Sequence, residues 1–261
     1  MASDAVDAGD QPPSSRESSR GTKTNARRAS FALACFVVLA VVAVPFYLWL
    51  GRKQWFSVDE WDFLAGRNLG HVNDLLRPHT DEHWSTLPML AWRGIWQVFG
   101  LSYLPYQTLT VLLHVTIAAL LRTVMRRAGV GPWISTIAAA SFLFFGAGAF
   151  NIIYAFQTNF DGAVALGLTQ LLLADHDGPI DKRDWLGVFA GLCALMCSAP
   201  AVTMVVVVGF ATLIRRGLKP AAFHTLPLAT IFVAWWLHYS RSSTTLGWSI
   251  SNTARFVLDG L

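Results

Sequence analysis

"FALACFVVLAVVAVPFYLWL" (Phe31–Leu50) runs for twenty residues without a formal charge. At a rise of about 1.5 Å per residue, a helix of that length covers the roughly 30 Å hydrocarbon core of a bilayer. Arg20, Lys23, Arg27 and Arg28 cluster directly before it, and no small-residue cleavage site follows. The stretch therefore reads as an uncleaved span with its N-terminus in the cytoplasm. Composition agrees: the 261 residues are 54% hydrophobic and only 14% charged, where a soluble domain carries about a quarter charged residues. Mean hydropathy is +0.44. The net charge of +4 is too small and too scattered to suggest nucleic acid.

Working outward, residues 1–30 are rich in Ser, Ala, Asp, Gly and Arg and are expected to form a disordered cytoplasmic tail. Downstream, further apolar stretches fall at about 104–124, 132–150, 159–174, 185–198, 201–214 and 221–239. The fifth and sixth are separated only by "SAP" (Ser198–Pro200), where Pro200 would otherwise have to kink one long helix. The expected fold is thus all-α, a multi-pass cell-membrane protein of about seven transmembrane helices over residues 31–240. Basic residues test the count. Arg122, Arg126 and Arg127 follow the second span, Lys182 and Arg183 the fourth, and Arg215, Arg216 and Lys219 the sixth. All three groups share the cytoplasmic side only if the "SAP" pair crosses twice. Trp235, Trp236 and Tyr239 close the seventh span as an outer aromatic belt. The three cysteines lie inside apolar runs and are expected to be buried small hydrophobes. His114, alone in the second span, is expected to be packed or hydrogen-bonded. Gly187 and Gly191 are expected to allow close helix contact within the chain.

Residues 51–103 then form a long outer loop. Six of the chain's sixteen acidic residues fall between Ser57 and Pro88, together with three histidines. Apolar residues across 58–76 have helix-compatible spacing. "STLPMLAWRGIWQVFG" (Ser85–Gly100) starts with cap-type residues, places Pro88 in the first turn and ends at glycine. It is too short to span and fits a helix lying in the interface. Asp59, Glu60 and Asp62 follow the first span closely, flanked by Trp55, Phe56 and Trp61. A carboxylate in so dry a setting is costly unless paired or used. His79, Asp81, Glu82 and His83 precede the interfacial helix, and Pro78 and Thr80 argue against a helix there. A second polar outer group, Asn151, Tyr154, Gln157, Asn159 and Asp161, joins the third and fourth spans. Together the two groups would make an outward-facing polar cleft with aromatic walls, suited to a hydroxylated ligand. The plainer reading is a solvated loop whose acids pair with Arg52, Lys53, Arg67, Arg77 and Arg93.

An acidic motif in the first outer loop, followed by interfacial helices, resembles the GT-C superfamily of polytopic glycosyltransferases. "DEWDFL", "RPHTDEHWSTLPML", "SYLPY" and "NIIYAFQTNF" are similar to mannosyltransferase-like membrane proteins of actinobacterial type, over roughly residues 31–240. The resemblance implies transfer of a sugar from a polyprenyl-phosphate donor to a glycan, lipid or protein acceptor at the outer face. It implies Asp59 as the base, with Glu60 and Asp62 positioning it or holding a cation. Glu82 and His83, with His79 and Asp81 beside them, would orient the acceptor or bind metal, and Arg93 would pair with the donor phosphate. Tyr154 and Gln157 would line the substrate cleft. Mg2+ or Mn2+ bridging phosphate and carboxylates is compatible with the resemblance. Members of the superfamily usually have more spans, so residues 241–261 are expected to be an outer segment continuing in a longer protein. Two other readings stand beside this one: a membrane transporter or substrate-binding protein, and a truncated, inactive relative of the glycosyltransferases. Transporter sites favour ionisable groups inside spans near the midplane, whereas these spans are nearly free of acids.

Overall fold

The computed structural model describes residues 15–80 and 83–239. Asp81, Glu82 and the segment 241–261 lie outside the described residues. Among the described residues the chain is all-helical, without a strand.

Helix α1 (Ser15–Leu50) carries the first apolar stretch. It begins well before Phe31, so residues 15–30 are helical where the sequence suggests a disordered tail. Extending an existing helix needs no new nucleus, and the segment holds no proline to stop it. The segment of residues 51–102 contributes α2 (Val58–Leu64), α3 (Val72–Leu76) and α4 (Thr86–Phe99). α4 matches the helix read from the sequence: Ser85 caps it and Gly100, at φ +58°, ends it. The spacing across 58–76 instead divides into two short helices, for a reason given below. α5 (Tyr103–Arg127) follows, then α6 (Pro132–Leu143). A turn at Gly146–Gly148 interrupts the next stretch before α7 (Ala149–Ile153). α8 (Thr158–Ala174), α9 (Lys182–Leu195), α10 (Pro200–Arg216) and α11 (Leu218–Tyr239) complete the chain. Pro200 sits at the start of α10, where its missing N–H costs nothing, so "SAP" separates two helices.

Four stretches are long and apolar enough to cross a membrane: Ala26–Leu50, Tyr103–Arg127, Pro132–Ile153 and Leu218–Tyr239. α8, α9 and α10 are shorter, at 17, 14 and 17 residues. The helices pack in two groups. α1, α5 and α6 surround Phe36, Ala43, Tyr47, Val111, Ala118, Ala139 and Leu143. α8 to α11 surround Ala163, Ala194, Leu195, Ala201, Val205 and Leu228. α5 against α8 joins the two. Gly187 and Gly191 serve contacts inside the chain, as their spacing suggests. A Cβ on Gly187 would come 2.8 Å from His224, and one on Gly191 would come 2.5 Å from Leu228. His114 is buried and packed: its Nε2 lies 3.2 Å from the Leu143 carbonyl and its ring stacks on Phe142. Cys197 is buried and Cys193 half-buried, both as free thiols.

Successive long helices alternate in direction, which sorts the connections to two ends. The Met196 carbonyl accepts from the Leu87 N–H at 3.0 Å, so the α9–α10 turn touches the loop of residues 51–102. Trp235, late in α11, donates to the Leu76 carbonyl at 2.7 Å and stacks on Trp84 at 5.1 Å. At the opposite end Arg127 reaches the Leu172 carbonyl at 2.6 Å, beside the α8–α9 and α10–α11 connections. The outward helix faces are apolar: Val41 is 66% exposed, Leu218 74% and Ile214 85%. Such faces suit lipid and would be costly in water.

Candidate functional site

The end of the bundle that carries residues 51–102 is organised by one buried arginine. Arg67, its side chain 1% exposed, donates to the Asp62 carboxylate from Nε at 2.9 Å and lies 2.8 Å from it through Nη2. The same guanidinium donates to the carbonyls of Arg77 (2.7 Å) and Pro78 (3.2 Å). These bonds need a chain that turns back around the guanidinium. That is why residues 58–76 break into α2 and α3 although their apolar spacing would allow one helix. Asp62 further accepts from Arg77 Nη2 at 3.3 Å and from His79 Nδ1 at 2.9 Å. Burial pushes the Asp62 carboxyl up, but the hydrogen bonds from His79 and Arg67 and the Arg67 charge outweigh it and hold the pKa down at about 2. Asp62 is thus an ionised strut.

Glu60 occupies a different environment. It is fully buried, three residues after the cap Ser57, and accepts the Ser57 N–H at 2.6 Å and the Tyr103 hydroxyl at 3.0 Å. Tyr103 in turn accepts the Ala155 N–H at 3.1 Å, which pins the carboxylate to the turn ahead of α8. No described cation pairs with it. Burial therefore pushes its pKa above the ordinary glutamate value, with the bonds from Ser57, Tyr103 and the Phe156 backbone pulling part of the way back.

Asp59, in the first turn of α2, is exposed to solvent and makes no ion pair or hydrogen bond among the described residues. Its neighbour is Tyr154, whose hydroxyl shares a 2.6 Å hydrogen bond with Ser57 Oγ. Burial raises the Tyr154 pKa, the Ser57 bond opposes this, and the charges of Glu60 and Asp59 add to the rise. Tyr154 stacks on Phe150 at 4.9 Å, and Phe56, Trp55 and Trp61 lie edge to face or tilted nearby. The polar groups therefore have aromatic walls.

His79 and His83 face each other across a single antiparallel bridge, with the His79 N–H donating to the His83 carbonyl at 2.8 Å. Thr80, at φ +44°, makes the tight turn. His79 sits between Phe63 and Phe156. His83 packs on Phe160, while its Nδ1 accepts from Ser198 Oγ at 3.0 Å and lies 3.4 Å from the Ala199 N–H. The histidines thus anchor the loop at two points: Asp62 on one side and the α9–α10 turn on the other. Gln157 is half-buried at the start of α8. The first turn of α8 holds two bare polar atoms: Asn159 Oδ1 and Asp161 Oδ2 are buried without a hydrogen-bond partner among the described residues.

Arg93 stands on α4. Its Nη2 donates to the Arg67 carbonyl at 2.5 Å, its guanidinium lies 5.2 Å over the Trp96 ring, and its Nε is buried without a partner. It lines a pocket of about 300 Å³ with Leu69, Trp96 and Gln97.

The structure therefore brings Asp59, Glu60 and Tyr154 together, and separately Asp62 with His79; His83 belongs to a third contact. Asp62 is committed to Arg67, Arg77 and His79 and Glu60 to neutral donors, so neither is placed to share a divalent cation with Asp59. Arg67 and Arg77 pair with Asp62, as the plainer reading of the loop expects, while Ser57, Tyr103 and Ser198 hold the other groups and went unread in the sequence. Only Ser57, as a cap three residues before a glutamate, carried a local signal.

A second charged cluster sits at the opposite end. Asp184 is fully buried and accepts from Arg216 Nη1 at 2.5 Å, His224 Nε2 at 2.9 Å and the Asp181 N–H at 2.8 Å, while His176 Nε2 lies 3.1 Å away. Ligand atoms of His176, Asp181 and Asp184 lie within 4.8 Å of one another. However, Asp181 and Asp184 form the capping box of α9 and Arg216 already neutralises Asp184. The cluster is a brace across α8, α9, α10 and α11.

No protein-family model matches the chain, and comparison with curated proteins and with solved structures found no match either.

Proposed function

We propose that this chain is a membrane glycosyltransferase of the GT-C kind, moving a sugar from a polyprenyl-phosphate donor to an acceptor hydroxyl at the outer face. The four long stretches and the shorter α8, α9 and α10 would cross the membrane in alternation, with the N-terminus and the basic connections in the cytoplasm. The observation that carries the reading is the contrast among three neighbouring carboxylates. Asp62 is bound by cations, Glu60 is buried among neutral donors, and Asp59 alone is open to solvent beside an aromatic-walled tyrosine.

In the reaction, the Asp59 carboxylate takes the proton of the acceptor hydroxyl as that oxygen attacks the sugar's anomeric carbon. The bond from that carbon to the phosphate oxygen breaks, and the lipid phosphate leaves with the electron pair. The configuration inverts. Arg93, half-buried with a donor to spare, faces the phosphate, for which a guanidinium fork is well shaped. Glu60 and Tyr103 fix α2 and so fix the direction of Asp59. His79 and His83 hold the loop that the acceptor crosses. The reaction is written without a metal because, of these three carboxylates, Asp62 and Glu60 are committed to protein partners and only Asp59 is left open.

The test is transfer from polyprenyl-phosphate-linked sugars by the full chain in membranes. Asp59→Asn is expected to lower transfer by about 10²–10⁴-fold while leaving the melting temperature unchanged. Wild-type transfer by that variant overturns the assignment.

A further inference from the structure

We propose that the groove between α10 and α11 seats one acyl chain of an anionic phospholipid, with the headgroup phosphate held at Lys219. The proposal does not rest on the transfer reaction.

The groove has a volume of about 390 Å³. Gly209, Ala221 and Ala222 form its small floor, and Phe210, Leu213 and Leu218 are among its large walls. Its origin is local. Gly209 lets α10 approach Thr225 of α11 so closely that a Cβ there would meet Thr225 Cγ2 at 2.5 Å. The larger side chains on either side of this contact stand apart and leave a furrow. Apart from Thr225 the lining is apolar, and Thr225 Oγ1 is turned to the Ala221 carbonyl at 2.8 Å. Nothing in the furrow offers a hydrogen bond, so its occupant there is a hydrocarbon chain.

The position of the furrow specifies the rest of the ligand. It runs along α10 from Val206 to Leu213 and along α11 from Leu226 back to Leu218, parallel to the helices, and ends beside the basic connection. A single residue, Gly217, joins the two helices there, so Arg215, Arg216 and Lys219 all stand within two residues of that turn, Lys219 next to the lining residue Leu218. Arg216 is spent on Asp184, and Arg215 pairs with Asp175 and lies 3.7 Å from Asp177. Lys219 is exposed and makes no ion pair among the described residues. Along residues 122–219 this end carries eight basic residues, Arg122, Arg126, Arg127, Lys182, Arg183, Arg215, Arg216 and Lys219. Against them stand Asp175, Asp177, Asp181 and Asp184. An apolar furrow ending at an unpaired ammonium within a positive surface is complementary to a lipid with a negative head.

The full chain, purified in mild detergent and stripped of lipid, is offered phosphatidylglycerol or phosphatidylcholine with matching acyl chains, and retention is read by native mass spectrometry. One phosphatidylglycerol per chain is expected, held at least several-fold more tightly than phosphatidylcholine. Lys219→Gln, an exposed change, is expected to weaken phosphatidylglycerol by about fivefold and to leave phosphatidylcholine unchanged. Ala222→Phe fills the furrow and is expected to abolish retention of both. Equal retention of the two lipids overturns the proposal. So does unchanged binding in Lys219→Gln or in a folded Ala222→Phe protein, and so does a dimer that excludes lipid from the furrow.

Discussion

Asp184 and Glu60 are both fully buried carboxylates near the start of a helix, yet they are kept in opposite ways. Asp184 meets an arginine and a histidine, and a second histidine lies alongside. Glu60 meets a backbone amide and a phenol. A buried charge held by cations is fixed as an ion and fastens helices together. A buried acid held by neutral donors keeps part of its tendency to take a proton. Asp62 belongs with Asp184 although it lies two residues from Glu60. The difference separates acids fixed as ions from one that keeps its affinity for a proton, and it can be broken at three points.

The largest effect is expected at Asp184. Its replacement by alanine leaves Arg216, 3% exposed, buried without a counter-charge. A loss of about 3–5 kcal/mol is expected, read as a fall in melting temperature in detergent; wild-type stability would end the reading of this cluster as a brace. Asp62→Asn comes next, at about 2–3 kcal/mol, the equivalent of lowering its carboxyl to about 2. Because that pKa is depressed on folding, its contribution is complete above about pH 4 and is lost as pH falls toward 2. Acid unfolding of wild type and Asp62→Asn should therefore converge in that window, and parallel curves would contradict the assignment. The smallest effect is at Glu60. Its pKa is raised on folding, so the wild-type protein loses stability as pH rises above the ordinary glutamate range. Glu60→Gln should change stability by no more than about 1 kcal/mol and should flatten that slope. A steep loss on substitution would place Glu60 with the struts.

Much of this was readable where the cause is local. The ends of α4 follow from Ser85 and Gly100, and the separation of α9 from α10 follows from Pro200. The packing roles of His114, Gly187 and Gly191 follow from their surroundings along one helix. Asp59, Glu60 and Tyr154 were named together, but their unlike environments were not, because Tyr103 lies 43 residues from Glu60. Arg67 looked like one of several loop cations, although it is the residue that bends 58–76 into two helices. Asp184 carried no signal of its own, since Arg216 is 32 residues away. Apolar periodicity reports which face is buried. It is silent on which distant charge arrives to meet it.

The loop of residues 51–102 also has a place in time. It leaves the ribosome early, yet His83 is fastened to Ser198, 115 residues later, and Leu76 to Trp235, 159 residues later. Its seat is complete only when α11 has been laid against the others. A chain interrupted before α11 carries the acids of the loop and lacks the frame that aims them, so the chemistry proposed for this end would wait on the docking of α11.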